Sequence, residues 1–100
     1  MAILYLPLKR QYFEQIQAGE KPLEFRLRNT HWTKRLEGRA YLGIVLTMGY
    51  PAAEDESKRL YRQWRGYVLQ TIQHPHFGKD PVEVFAIDVT QPWLNADSAL

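Results

Sequence analysis

The 100-residue chain contains no cysteine. That excludes disulfides, a thiol nucleophile and cysteine-ligated zinc. No apolar run approaches the roughly 20 residues that a helix needs to cross a bilayer, so no membrane partner is expected. The opening stretch, Met1-Ala2-Ile3-Leu4-Tyr5-Leu6-Pro7, has neither a leading positive charge nor a small-residue cleavage site. A secretory leader is therefore not expected, and a cytoplasmic location is. Also missing are internal repeats, low-complexity stretches, a Ser/His/Asp order, a glycine loop that could cradle phosphate and any zinc motif. No cofactor or metal is expected.

What remains is 45% hydrophobic and 24% charged, an ordinary globular composition that excludes a disordered tail, a coiled coil or a collagenous segment. The length suits one domain, expected over residues 1–90, with 91–100 as a C-terminal tail. The net charge of +2 conceals an asymmetry. Residues 1–65 hold 12 of the 13 Lys and Arg but 7 of the 11 Asp and Glu. Residues 66–100 hold Lys79 alone against Asp80, Glu83, Asp88 and Asp97. Such polarity suggests one basic surface meeting an anionic partner, with nucleic acid the commonest. The alternative is an even scatter of charge once the chain folds.

Ala2 to Leu8 reads as a strand with Pro7 at an edge. From Lys9 the period becomes helical, with Leu8, Tyr12, Phe13 and Ile16 on one stripe and Gly19 as a left-handed stop. Leu23 to Arg28 alternates: Leu23, Phe25 and Leu27 share the face expected to fill the core, and Glu24, Arg26 and Arg28 share the other. Asn29 or Thr30 can cap a short helix that turns Trp32 and Leu36 inward and ends at Gly38. Tyr41 to Met48 is nearly continuous apolar sequence, the pattern of a strand buried on both faces. Ala52 to Lys58 reads as a loop, turning helical near Leu60. Gly66 to His74 and Val82 to Val89 are further strands, joined by a turn-rich segment. Trp93 is expected to anchor the tail. Five strands and two or three helices imply an α+β fold, with a mostly antiparallel sheet curled into a small barrel.

The most informative segment is Gly19-Glu20-Lys21-Pro22-Leu23-Glu24-Phe25-Arg26. Lys21 projects from a turn, while Glu24 and Arg26 sit two apart on one strand face. An ammonium, a carboxylate and a guanidinium thus converge: the carboxylate can accept from a base or sugar donor, and the cations can take phosphate or carbonyl oxygens. A solvated strand face with alternating charges is the plainer reading of the same residues.

Gly19, Lys21, Glu24 and Arg26 match all four positions of G-x-K-x-x-E-x-R, and the segment resembles the motif of the activating-signal-cointegrator homology (ASCH) family. The order of elements resembles that family over about residues 2–90. The resemblance implies a PUA-like β-barrel of about five strands with flanking helices, and a cleft beside it that binds RNA or a modified nucleotide. Some ASCH-like proteins are small amidohydrolases that act on N4-acetylated cytidine. They use the motif lysine, a threonine three positions later and a distant glutamate. Here Lys21 holds the lysine position, but Glu24 stands where that threonine would be.

Secondary candidates lie elsewhere. Arg62 and Arg65, among Trp64 and Tyr67, mix cations with aromatics as stacking on unpaired bases and neutralising phosphates require. Trp64 itself is expected in the core. Tyr50, at the Gly49-Tyr50-Pro51 break, can offer a stacking platform. His74 and His76, two residues apart, lack a third ligand at a recognised spacing, so a structural turn is the expected role. The functional expectation is binding of RNA or a nucleoside or nucleotide through Lys21, Glu24, Arg26, Tyr50, Arg62 and Arg65. The alternatives are a hydrolase in the same cleft, an amidohydrolase or a ribonuclease in which Lys21 and Glu24 share proton transfer, and a protein-interaction module. The oligomeric state is not readable from the sequence.

Overall fold

A computed structural model describes residues 2–100; Met1, which opens the expected domain, lies outside them. The elements in order are β1 (Ile3–Leu8), α1 (Arg10–Gln17), β2 (Leu23–Leu27), α2 (Thr30–Leu36), β3 (Gly43–Met48), β4 (Arg59–Arg62), β5 (Tyr67–Ile72), β6 (Val82–Asp88) and α3 (Ala96–Ala99). Single 3-10 turns cover Glu56–Lys58 and Pro75–Phe77. No helix among the described residues is long and apolar enough to cross a membrane.

The fold is α+β. Its strands form two three-stranded sheets, ordered β1-β3-β4 and β2-β6-β5. Only β1 and β3 run parallel, the other three ladders being antiparallel. In each sheet the middle strand carries the burial. Gly43 to Thr47 of β3 and Val84 to Ile87 of β6 are buried without interruption, and side chains from both strands join one core cluster with Leu4, Leu6, Phe13, Ile16 and Leu36. Burying each such side chain is worth about 1.5–3 kcal/mol. α1 adds Phe13 and Ile16 to that core, then ends at Gly19, whose φ of +78° most side chains would resist. α2 is capped by Asn29, whose side chain accepts the Trp32 amide at 2.9 Å.

The helical turn expected near Leu60 is instead β4, which makes six strands rather than five. Arg59 to Arg62 pairs with the buried strand β3, from Thr47↔Arg59 to Ile44↔Arg62. That tertiary ladder outweighs the weak local preference of a charged segment. Trp64 packs against the core, edge-on to Tyr41 at 5.1 Å between ring centroids.

The two sheets meet along two seams, and their ladders do not run round into a closed cylinder. At one seam the chain beyond β6 joins β4 through main-chain bonds: Gln63 donates to the Gln91 carbonyl at 2.8 Å, and Trp93 to the Tyr61 carbonyl at 3.1 Å. Trp93 then lies on Gly43, where an added Cβ would come within 2.3 Å of the indole. The expected anchoring of residues 91–100 thus has a physical basis in Trp93, and Ala96 is buried beyond it. At the other seam, between β1 and β2, a side chain spans the gap: Arg26 Nη2 donates to the Pro7 carbonyl at 2.9 Å.

Candidate functional site

A cavity of about 270 Å³ opens at the Arg26 seam. β1 and the start of α1 contribute Pro7, Leu8, Lys9 and Tyr12; β2 and the turn before it contribute Lys21, Glu24, Phe25, Arg26 and Leu27. Trp32 from α2 and the β5–β6 connection, with His74, His76 and Phe77, complete the wall. The strand order explains the last group. β5 pairs with β6 and β6 with β2, and Leu27 sits opposite Val84 near the start of β6, so the connection into β6 lies beside the end of β2.

Glu24 and Arg26 face the cleft as expected, but the opposite face of β2 does not fill the core. Leu23 and Phe25 are only partly buried and stand outside the core cluster, whereas the Glu24 side chain is 8% exposed and that of Arg26 15%. β2 is an edge strand beside an open seam, so its charged face looks across to β1. Charges go inward there because they find partners. Arg26 Nη2 donates to Glu24 Oε2 at 2.8 Å, and its guanidinium stacks 4.9 Å from the Trp32 ring. Lys21 Nζ lies 4.0 Å from Glu24 Oε1, 4.6 Å from the Phe25 ring centroid and 5.4 Å from that of Tyr12. Arg26 Nε is buried without a hydrogen-bond partner.

Burial dominates the electrostatics of this trio. It pushes the Glu24 carboxyl above the usual carboxylate range, against the opposing pull of Arg26 and Lys21. It also pushes the Lys21 ammonium down, with Glu24 opposing and Arg26 assisting. Both shifts favour the neutral forms. At the outer wall, Tyr12 holds the two imidazoles edge-on, at 5.8 Å from His74 and 5.7 Å from His76. His74 Nδ1 accepts the His76 amide at 3.1 Å, which puts the His74 proton on Nε2. Among the described residues no three His, Asp or Glu side chains group as metal ligands.

Lys21, Glu24 and Arg26 are therefore brought together, and the other three sequence candidates are not among the cleft's lining residues. Tyr50 is 92% exposed just beyond β3. Arg62 donates to the Val89 and Tyr61 carbonyls, and Arg65 pairs with Asp88 at 3.2 Å. The charge asymmetry of the sequence is partly cancelled in space, since Arg65–Asp88 and Arg28–Glu83, at 2.7 Å, join the basic stretch to the acidic one. Sequence reasoning missed Lys9, Tyr12, Phe25 and the His74-Pro75-His76-Phe77 run as lining residues. The aromatic density of that last run was its one visible signal. No family model, curated protein or solved structure matches the chain.

Proposed function

We propose that this cleft binds RNA or a modified nucleotide and holds one base among its rings, as an ASCH-type domain whose two sheets are the halves of an open PUA-like barrel. The observation that carries the reading is a cation–carboxylate–cation trio, largely dehydrated, inside a pocket walled by Tyr12, Phe25, Trp32 and Phe77. Rings stack on a base, each such contact being worth about 1–3 kcal/mol. Glu24 accepts from an exocyclic amine or a ribose hydroxyl, and Lys21 and Arg26 donate to carbonyl or phosphate oxygens. The cavity volume is at the small end for ligand pockets, which suits one base with its sugar rather than a duplex.

The test is a thermal-shift screen of nucleosides and short RNAs with Lys21→Ala as control. A ligand of the native state raises the melting temperature, and the expected result is a rise in the wild type that Lys21→Ala lacks. An equal rise in both proteins, or none in either, contradicts the reading.

The depressed Lys21 ammonium beside a carboxyl with raised pKa favours a second reading, hydrolysis of an N4-acylated cytidine in the same pocket. Neutral Lys21 would take a proton from the attacking water as its oxygen bonds the acyl carbon. Protonated Glu24 would give its proton to the amine nitrogen as the C–N bond breaks. Release of cytidine and the free acid, lost in Lys21→Ala, would establish turnover; binding without release leaves the first reading alone.

A further inference from the structure

The mouth of the cleft carries a cation and two imidazoles that the trio does not engage. Lys9 and His76 are exposed at its wall, and His74, Lys21 and Arg26 line the same cavity. Among the residues lining the cavity, Glu24 is the single acid, and Arg26 already engages it at 2.8 Å. The groups facing His76 can be named element by element: Lys9 between β1 and α1, Tyr12 on α1, Lys21 in the turn before β2, Glu24 and Arg26 on β2, and His74 on its own connection. α1 also begins at this wall with no side-chain cap and no acid in its first turn. Among the described residues that line the cavity, no acid other than Glu24 is present to offset Lys9.

We infer that Lys9, His74 and His76 form a phosphate subsite at the mouth of the cleft, so that the preferred ligand is a nucleotide rather than a free nucleoside. This rests on the proposed reading of the cleft as a base-binding pocket. The chemistry is direct. His74 has its Nδ1 occupied by the His76 amide, so it can offer only an Nε2–H donor, and Lys9 offers three more donors. His76 is the group that responds. Loss of water from part of its ring, then the charges of Lys9, His74, Arg26 and Lys21, hold its pKa below the ordinary 6.5. A phosphate beside it supplies the missing negative charge and raises that pKa, so binding takes up a proton.

The experiment is calorimetric titration of the full chain with uridine, cytidine, adenosine and guanosine, against their 3′- and 5′-monophosphates and against dinucleoside monophosphates. The monoester and diester arms separate a terminal phosphate from one inside a strand. The diester is the cleaner pH probe, because a monoester has its own ionisation near pH 6. The expected result is a preference of at least about tenfold for a phosphate-bearing ligand over its nucleoside, reduced below about twofold in Lys9→Gln and in His76→Gln. Diester affinity is expected to rise as pH falls from about 8 to 6 in the wild type and to stay flat in His76→Gln. Proton NMR of the wild type guards against a misfolded variant: the His76 ring titration should move to higher pH with the nucleotide and not with the nucleoside. Equal affinity for nucleoside and nucleotide, or a preference that survives both variants, overturns the phosphate subsite while leaving the base pocket standing. If neither class binds, the reading of the cleft falls and takes the subsite with it.

Discussion

The two seams of this molecule solve one problem in opposite ways. Where β4 meets the chain beyond β6, backbone groups pair and an indole fills the space over Gly43. Where β1 meets β2, one guanidinium reaches the Pro7 carbonyl and a cavity is left beside it. Backbone closure satisfies polar groups in regular register and leaves little room between strands. Side-chain closure spaces the strands further apart, and the gap is lined by whatever the edge strand carries. The difference separates a seam closed by backbone pairing and a packed indole from a seam bridged by one side chain that leaves a cavity.

The largest effect is expected from Arg26→Ala. It removes the hydrogen bond from Arg26 to the Pro7 carbonyl and leaves Glu24 buried without its nearest cation, so unfolding free energy should drop by about 3–5 kcal/mol in denaturant titration. A loss under about 1 kcal/mol would mean that the β1–β2 seam holds without its bridge. Next comes Trp93→Ala at the opposite seam, with a loss of about 3 kcal/mol by cavity formation and no change in ligand affinity. Weakened binding in this variant would deny the separation of the seams. Smaller again is Leu23→Ala. Because Leu23 is only partly buried and outside the core cluster, about 1 kcal/mol is expected in place of the larger cost of a core position.

The elements with strong local signals were legible in the sequence: β3 from its unbroken apolar run, α1 from its stripe and Gly19, and α2 from the Asn29 cap. β4 was not. Its four residues carry little strand pattern and become a strand only because β3 offers an unpaired edge. The trio was legible as chemistry, since a turn lysine and two strand charges at that spacing must lie close together. That Leu23 and Phe25 stay outside the core was not, because alternation fixes only that there are two faces, and the strand order decides what each face meets. For the same reason His74 and His76 read as a plain turn. Their place in the cleft depends on β6 lying between β5 and β2, a pairing over long sequence separation. Tyr50, Arg62 and Arg65 looked equally suited by residue type, and geometry sets them outside the cavity.

The central claim is that Glu24 is buried for its ligand and not for the fold, and the most direct measurement is the melting temperature of Glu24→Gln against pH, with and without nucleotide. The folded-state pKa of Glu24 is raised above its ordinary 4.5, chiefly by burial, so the ionised carboxylate is a net cost to the folded protein at neutral pH. That cost fades as pH falls and is gone below the ordinary value, where the group is protonated folded or unfolded. Glutamine keeps an oxygen to accept from Arg26 and removes the charge. The variant should therefore melt at or above the wild type near pH 7, with the difference closing toward pH 4.5, and should show no shift with nucleotide. A variant that melts several degrees below the wild type at neutral pH, and still shifts as the wild type does, would make the trio a structural ion pair and contradict the account.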